Sequence, residues 1–239
     1  MKQRLDIDMV RRKLVASRSE AENWIRLGKV SVNGQLASRP GQFVDPTSDV
    51  KLATTERYVS RAGLKLASVA SKFNVVFTDA TVLDVGSSTG GFTDYALQHG
   101  AKKVFAIDVG TEQLHPSLRG NKRIELHEKT DIRNFTPGSP IDIVVIDVSF
   151  ISIRDILPHI ASLSSPSTII LAMVKPQFEA GKHQINKGVI KNDTLRREIL
   201  RDFEVWSKQY FVIQDKADST VHGARGNQER FYVLRSPKT

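Results

Sequence analysis

The chain contains no cysteine. That excludes disulfide staples, thiolate metal sites and a cysteine nucleophile, and it is neutral to life in the cytosol. Long apolar runs are missing too. The most apolar stretches, residues 141–153 and 168–174, are short, and Asp142 and Asp147 interrupt the first. A membrane-spanning helix needs about 20 mostly apolar residues. The opening Met1-Lys2-Gln3-Arg4-Leu5-Asp6 has no apolar core for a signal peptide, so a cytoplasmic protein is expected. The six histidines do not cluster at metal-ligand spacing, so no metal site is expected. No segment repeats at a solenoid period or is low in complexity, and no Gly-x-Ser-x-Gly elbow surrounds Ser87 or Ser88.

What is present fits a globular protein with a real core: 239 residues, 40% hydrophobic and 26% charged. Lys and Arg total 35 against 26 Asp and Glu, a formal charge of +9, which favours a polyanionic partner such as RNA. The excess is uneven. Residues 1–51 hold ten basic and six acidic side chains, a net +4 in about a fifth of the length.

That basic segment has its own pattern. Leu5, Met9 and Val10 give a first helix an apolar face. Ser17 is a candidate cap for a second helix, with Glu20 completing a capping box. Ala21, Trp24, Ile25 and Leu27 would face inward, and Gly28 would end the helix. Val30-Ser31-Val32 runs into an Asn33-Gly34 turn, Pro40-Gly41 marks another turn, and Phe43-Val44 starts a return strand. Residues 51–56 read as a connector. The expected division is residues 1–53, a linker at 54–59, and a second domain at 60–239.

Beyond the connector, Ser60 is a plausible N-cap for a helix buried through Leu64, Leu66, Ala67 and Ala70. Strand-like runs at 82–85, 103–109, 123–127, 141–147 and 168–174 then alternate with helical stretches, of which 193–207 is the clearest. Runs at 210–214 and 229–234 close the chain. Such alternation predicts an α/β fold with a parallel, doubly wound sheet.

The first of these strands ends in Asp84-Val85-Gly86-Ser87-Ser88-Thr89-Gly90-Gly91-Phe92-Thr93. This is neither the dinucleotide G-x-G-x-x-G nor a Walker loop. Its glycines would let backbone pass close to a ligand at the sheet's carboxyl edge. Asp108, ending the next strand, can accept from two ribose hydroxyls, and Asp131, after the third, could meet a base edge. A nucleoside without pyrophosphate fits best, which points to S-adenosylmethionine. The expected cofactor residues are Asp84, Gly86, Ser88, Gly90, Gly91, Phe92, Thr93, Asp108 and Asp131.

Four further residues stand out: Lys65, Asp147 and Lys175 at strand ends or on the preceding helix, and Glu229 opening the last strand. A lysine closing an apolar strand is costly unless paired or functional. Lys65, Asp147, Lys175 and Glu229 resemble, in order, the Lys-Asp-Lys-Glu tetrad of FtsJ-type RNA ribose 2′-O-methyltransferases. Arg4-Leu5-Asp6, Ser17-Arg18, Ile25-x-x-Gly28-x-Val30-x-Val32-Asn33-Gly34 and Pro40 resemble the αL RNA-binding motif of ribosomal protein S-four. Together with Arg61-Ala62-Gly63-x-Lys65-Leu66, Asp147-Val148-Ser149-Phe150-Ile151-Ser152 and Lys175-Pro176-Gln177-Phe178-Glu179, the whole chain resembles the TlyA family, the hemolysin A-type rRNA methyltransferases.

The resemblance implies a Rossmann-like class I methyltransferase domain behind a small α+β RNA-binding domain, acting on cytidine ribose in ribosomal RNA. Arg4, Arg11, Arg12, Lys13, Arg18 and Arg26 are the candidate RNA contacts. Lys175 would be the base, Asp147 would orient it, and Lys65 and Glu229 would position the ribose. Such a base must first shed its proton; burial and a second lysine favour that, while carboxylates oppose it. Two other readings exist: a non-catalytic RNA-binding or ribosome-assembly factor, and a membrane-lytic protein, which requires an amphipathic or spanning segment that the sequence lacks. His183 and His222 are expected at the surface.

Overall fold

The computed structural model describes residues 2–15, 18–26, 28–52, 58–181, 189–190, 192–223 and 226–237. Ser17, Leu27, residues 54–57 of the expected linker and His183 lie outside these, as do the side chains of Glu20 and Arg26. The chain divides into two compact units, residues 1–56 and 57–239.

In the first unit, β1 (Gln3–Arg4) leads into α1 (Leu5–Arg11) and α2 (Arg18–Arg26). Both helices end in Schellman-type closures. Lys13 takes the left-handed φ of +58° after α1, with Leu14 N donating to Met9 O; Gly28 does the same after α2, with Lys29 N donating to Trp24 O. β2 (Val30–Val32) turns through Asn33 and Gly34, both at positive φ, into β3 (Gln35–Leu36), the geometry that matches strand twist. β4 (Phe43–Val44) pairs with β1, not with β2. β5 (Val50–Leu52) pairs with β2, so Lys51 and Leu52 belong to the sheet and the connector begins after them. Leu5, Met9, Ala21, Trp24, Ile25, Val30, Val44 and Val50 form the core; Val10 packs only partly against it.

The second unit is built on a seven-stranded sheet in the order β11-β12-β10-β9-β6-β7-β8. Its parallel part comprises β6 (Thr81–Val85), β7 (Lys103–Ile107), β8 (Ile124–His127), β9 (Ile143–Ile146) and β10 (Ile169–Val174). The last strand, β12 (Arg230–Arg235), inserts antiparallel between β10 and β11 (Val212–Asp218). The expected parallel sheet therefore ends in an antiparallel edge.

Alternate residues of each strand feed two separate cores. Val82, Val104, Val145, Leu171 and Phe231 face α3 (Arg61–Ala70) and α4 (Gly91–Gln98). Leu83, Phe105, Val144, Ile170 and Tyr232 face α5 (Leu157–Leu163) and α7 (Asp193–Ser207). Burial on both faces explains why these strands read as continuous apolar runs. Asn192 caps α7 by accepting from Thr194 N and Leu195 N, and Arg196, Ile199, Leu200, Phe203 and Ser207 form its buried stripe.

Two local expectations for α3 are corrected. Ser60 occupies the N-cap position, but its hydroxyl makes no capping bond. The buried stripe is Gly63, Lys65, Leu66, Val69 and Ala70, with Leu64 and Ala67 only partly covered. The helix turns Lys65 inward. A short α6 (Pro176–Glu179) follows β10, with Pro176 at its first position.

Candidate active site

The sheet changes direction at β6, which pairs with β7 on one side and β9 on the other. Such a switch point leaves a crevice at the carboxyl end of the strands. The glycine loop between β6 and α4 lies there, but its glycines serve the fold more than a ligand. At Gly86, φ is +81° and a Cβ would stand 2.7 Å from the Asp147 carbonyl oxygen. At Gly90, it would strike Leu114 and Leu118 at 2.7 and 2.6 Å; at Gly91, it would meet Ser60 Oγ at 2.2 Å. Gly86 and Ser88 line the main cavity, which also takes in Asp108 and Asp131. Phe92 and Asp84 line a smaller recess beside it. Gly90, Gly91 and Thr93 line neither, nor do Lys65 and Glu229; Thr93 Oγ1 donates to Asp84 Oδ2 at 2.6 Å.

Asp84 is fully buried. Burial, only partly offset by the Thr93 hydrogen bond and reinforced by the charges of Asp147 and Asp108, pushes its carboxyl up to about 7. Its Oδ1 and the Ser87 hydroxyl have no hydrogen-bond partner among the described residues, and both side chains line the recess that Lys175 and Asp147 share. Buried polar atoms left unpaired in a pocket wall suit a ligand that can pair them.

The main cavity, about 480 Å³, has apolar walls from Val85, Ile107, Val148 and Ile156. Asp108 is already fixed in place: Oδ2 accepts from Ser88 N at 2.8 Å and Oδ1 from Gly110 N at 2.7 Å. A carboxylate has about four acceptor positions, so it retains capacity for hydroxyls. Gln113, which sequence reasoning missed, bridges this region. It accepts from Ser88 Oγ at 2.9 Å and its amide nitrogen lies 3.4 Å from Asp108 Oδ1. Asp131, expected at a base edge, accepts from Arg133 Nε at 3.0 Å and Nη2 at 2.6 Å, which holds its carboxyl below the usual range. The two residues line the cavity as a pair. Apolar walls for a flat base, a carboxylate for hydroxyls and an unpaired carboxyl oxygen for an ammonium together fit an adenosyl amino acid.

The four residues of the tetrad form two ion pairs. Lys65 Nζ donates to Glu229 Oε2, both side chains being buried. Lys175 Nζ lies 2.6 Å from Asp147 Oδ1, an ion-pair contact without hydrogen-bond angles, and donates to Ser149 Oγ at 2.7 Å. The strand register joins the pairs. Val174 stands opposite Arg230, so the next step along the antiparallel ladder puts Glu229 across from Lys175. The insertion of β12 beside β10 is thus what delivers Glu229.

The rim carries two further features. Phe150 is 90% exposed at a left-handed φ of +71°, lines the cavity, and has its ring 5.5 Å from that of Phe178. Glu179 ties the two strand-end loops together: it accepts from Ser152 Oγ at 2.7 Å and Ile153 N at 2.8 Å, with Arg154 Nε at 3.3 Å. Burial raises its carboxyl, with those hydrogen bonds opposing. His222 is exposed, and its carbonyl accepts from Arg61.

In the N-terminal unit, the candidate arginines are organised by two buried acids. Arg4 and Arg18 converge on Asp6; Arg11 and Arg12 converge on Asp8. Arg12 also donates to the carbonyls of Ser48 at 2.8 Å and Pro46 at 3.0 Å. It straps the fold internally, with 22% of its side chain left in solvent. Lys13 is exposed at the end of α1.

Strand order, the crevice at the switch point and the glycine loop define a Rossmann-like methyltransferase fold. The sequence matches the FtsJ-like methyltransferase family over residues 58–236 and the S4 domain over residues 3–50. It is 40% identical to the 16S/23S rRNA (cytidine-2′-O)-methyltransferase TlyA of Mycobacterium tuberculosis, covering 98% of this chain and 90% of that one. It is 37% identical to hemolysin A of Brachyspira hyodysenteriae, over 89% of this chain and 91% of that one. A solved structure from Streptococcus thermophilus, described as a hemolysin, superposes with a TM-score of 0.79 at 35% identity, covering all of this chain and 90% of the other. The chain belongs to the FtsJ-like methyltransferase family, in the S4-bearing group that includes TlyA.

Proposed function

We propose that the chain transfers a methyl group from S-adenosylmethionine to a ribose 2′-hydroxyl of ribosomal RNA, on cytidine as in the TlyA relative. The observation that carries this reading is the Lys175–Asp147 pair in the recess beside the glycine loop, with Glu229 of the buried Lys65–Glu229 pair just past the Val174–Arg230 step of the neighbouring ladder. A ribosomal substrate also implies a cytoplasmic setting.

Asp108 and Gln113 would hold the cofactor's ribose, the apolar walls its base, and Asp84 Oδ1 its ammonium group. When bound, the cofactor supplies an electrophilic methyl on a sulfonium, so proton transfer is the chemistry left to the protein. A 2′-hydroxyl is a poor nucleophile at neutral pH and needs a base within hydrogen-bond reach. Lys175 Nζ, once neutral, would accept the proton that the hydroxyl gives up, the methyl carbon–sulfur bond of the donor breaking to leave a neutral thioether. The ammonium so formed sits against Asp147 and Ser149, which are already in place to stabilise it and fix its direction. Lys65 of α3, held by Glu229, would steady the ribose. Phe150 offers the target base an exposed face for stacking at the rim. Arg4, Arg11, Lys13, Arg18 and Arg26 of the N-terminal unit would hold the RNA backbone.

The test is methyl transfer to rRNA from cells lacking this gene, with 2′-O-methyl positions mapped. Wild-type protein should add a mark, and Lys175→Ala should lower the rate at least about a hundredfold. Wild-type-like turnover in that variant removes the base assignment.

A further inference from the structure

We propose that Asp6 is a positioning residue that builds a phosphate-binding seat on the N-terminal unit, with Arg4 and Arg18 as its two arms. The proposal rests on the RNA-binding reading of this unit and goes beyond it by assigning a role to a residue of the opposite charge.

Asp6 lies on α1 with no exposed side-chain surface. Arg4 forks onto it through Nε to Oδ1 at 3.0 Å and Nη2 to Oδ2 at 2.8 Å. Arg18, from the next helix, donates Nε to the same Oδ2 at 2.8 Å. Two donors each 2.8 Å from one oxygen can be at most 5.6 Å apart, twice that distance. Two guanidiniums so close would repel each other apart without the carboxylate between them. The hydrogen bond from Arg4 holds Asp6 down at about 2, burial opposing and Arg18 assisting, so the anchor stays ionised at any physiological pH.

The arms remain available. Arg4 and Arg18 keep 38% and 55% of their side chains in solvent, whereas Arg12 on the neighbouring acid keeps 22% and spends further donors on carbonyls. A guanidinium has five N–H donors; the fork of Arg4 onto Asp6 leaves its Nη1 edge for a second acceptor, and Arg18, which gives Asp6 its Nε and has Nη2 3.4 Å from Glu22 Oε1, keeps Nη1. Gly41 supports the arrangement: a Cβ there would sit 3.3 Å from Arg4 Cζ, Nη1 and Nη2 alike, so the guanidinium lies face-on against the backbone. Glu22, whose Oε1 lies 3.4 Å from Arg18 Nη2, balances the +1 of the other three groups, so the seat offers directed N–H groups of two guanidiniums fixed side by side rather than surplus charge. That suits a phosphodiester with two non-bridging oxygens, held without ordering flexible side chains on binding.

The proposal makes a prediction opposite in sign to simple charge counting. Asp6→Asn raises the net charge of the protein by one, which by itself tightens binding to any polyanion. If Asp6 builds the seat, the same change weakens binding. The experiment measures the affinity of the full chain for a fluorescein-labelled RNA hairpin across a salt series, with melting curves for each variant. Expected is a loss of roughly tenfold for Asp6→Asn and a shallower salt dependence, by about one phosphate contact. Arg4→Lys and Arg18→Lys keep the charge but lose the fork, and each should lose several-fold. Equal or tighter binding by a folded Asp6→Asn overturns the proposal. Should Asp6→Asn fail to fold, unchanged affinity in both lysine variants overturns it. Wild-type protein that binds no hairpin at any salt would instead defeat the RNA-binding reading itself.

Discussion

Asp84→Asn separates the demands of folding from those of the site. Asp84 has its carboxyl pushed from an ordinary 3.8 to about 7, chiefly by burial. The fold therefore keeps a proton between about pH 4 and 7 that the unfolded chain has released, and this group's contribution to stability falls as pH rises through that window. At 1.36 kcal/mol per unit, the loss reaches roughly 4 kcal/mol above pH 7. Asparagine cannot ionise and can still accept from Thr93 through its carbonyl. The variant should therefore be more stable than wild type at pH 8 by about 2–4 kcal/mol, on the order of 5–15 °C in melting temperature. At pH 5 the gap should shrink to about 1–2 kcal/mol. Its affinity for S-adenosylhomocysteine should fall, because the cofactor ammonium loses its anionic partner. Thermal melts at the two pH values and titration calorimetry read both effects. A stability difference that does not change between pH 5 and pH 8 would refute the reasoning, as would a variant less stable than wild type at pH 8.

Phe150→Ala should leave folding unchanged, since the side chain is 90% exposed, yet lower kcat/KM for rRNA roughly tenfold through lost stacking; thermal melts and steady-state kinetics check this. Gln113→Ala should weaken S-adenosylhomocysteine binding several-fold with little change in melting temperature, because Gln113 bridges Ser88 and Asp108 at the cavity wall. Glu179→Ala should cost about 1–3 kcal/mol in thermal stability, leaving Ser152 Oγ, Ile153 N and Arg154 without their shared acceptor, and Glu179→Gln should recover part of it.

The parts of this fold that were legible in the sequence are those with strong local signals. Residues 193–207 read as the clearest helix, the turn at Asn33-Gly34 follows from residue type, and apolar runs mark β6 to β10. β1 was not legible, because a two-residue strand has no period and exists only through its pairing with β4. Nor was the antiparallel insertion of β12, since strand direction is fixed by the chain's return path and not by composition. At the site, the tetrad was legible through motif order, but the inward turn of Lys65 required knowing the phase of α3. The close neighbours that exclude a side chain at Gly90 and Gly91 were not legible, because they come from distant parts of the chain. Gln113 escaped because a lone glutamine in a loop carries no pattern.

Gly86 has less than a methyl group's room against the Asp147 carbonyl, so the turn that would cradle the methyl donor and the strand end that aligns the proton acceptor touch through backbone alone. Two halves of a reaction centre built this way share one mechanical frame. Their spacing would be set when the sheet assembles, before any substrate arrives.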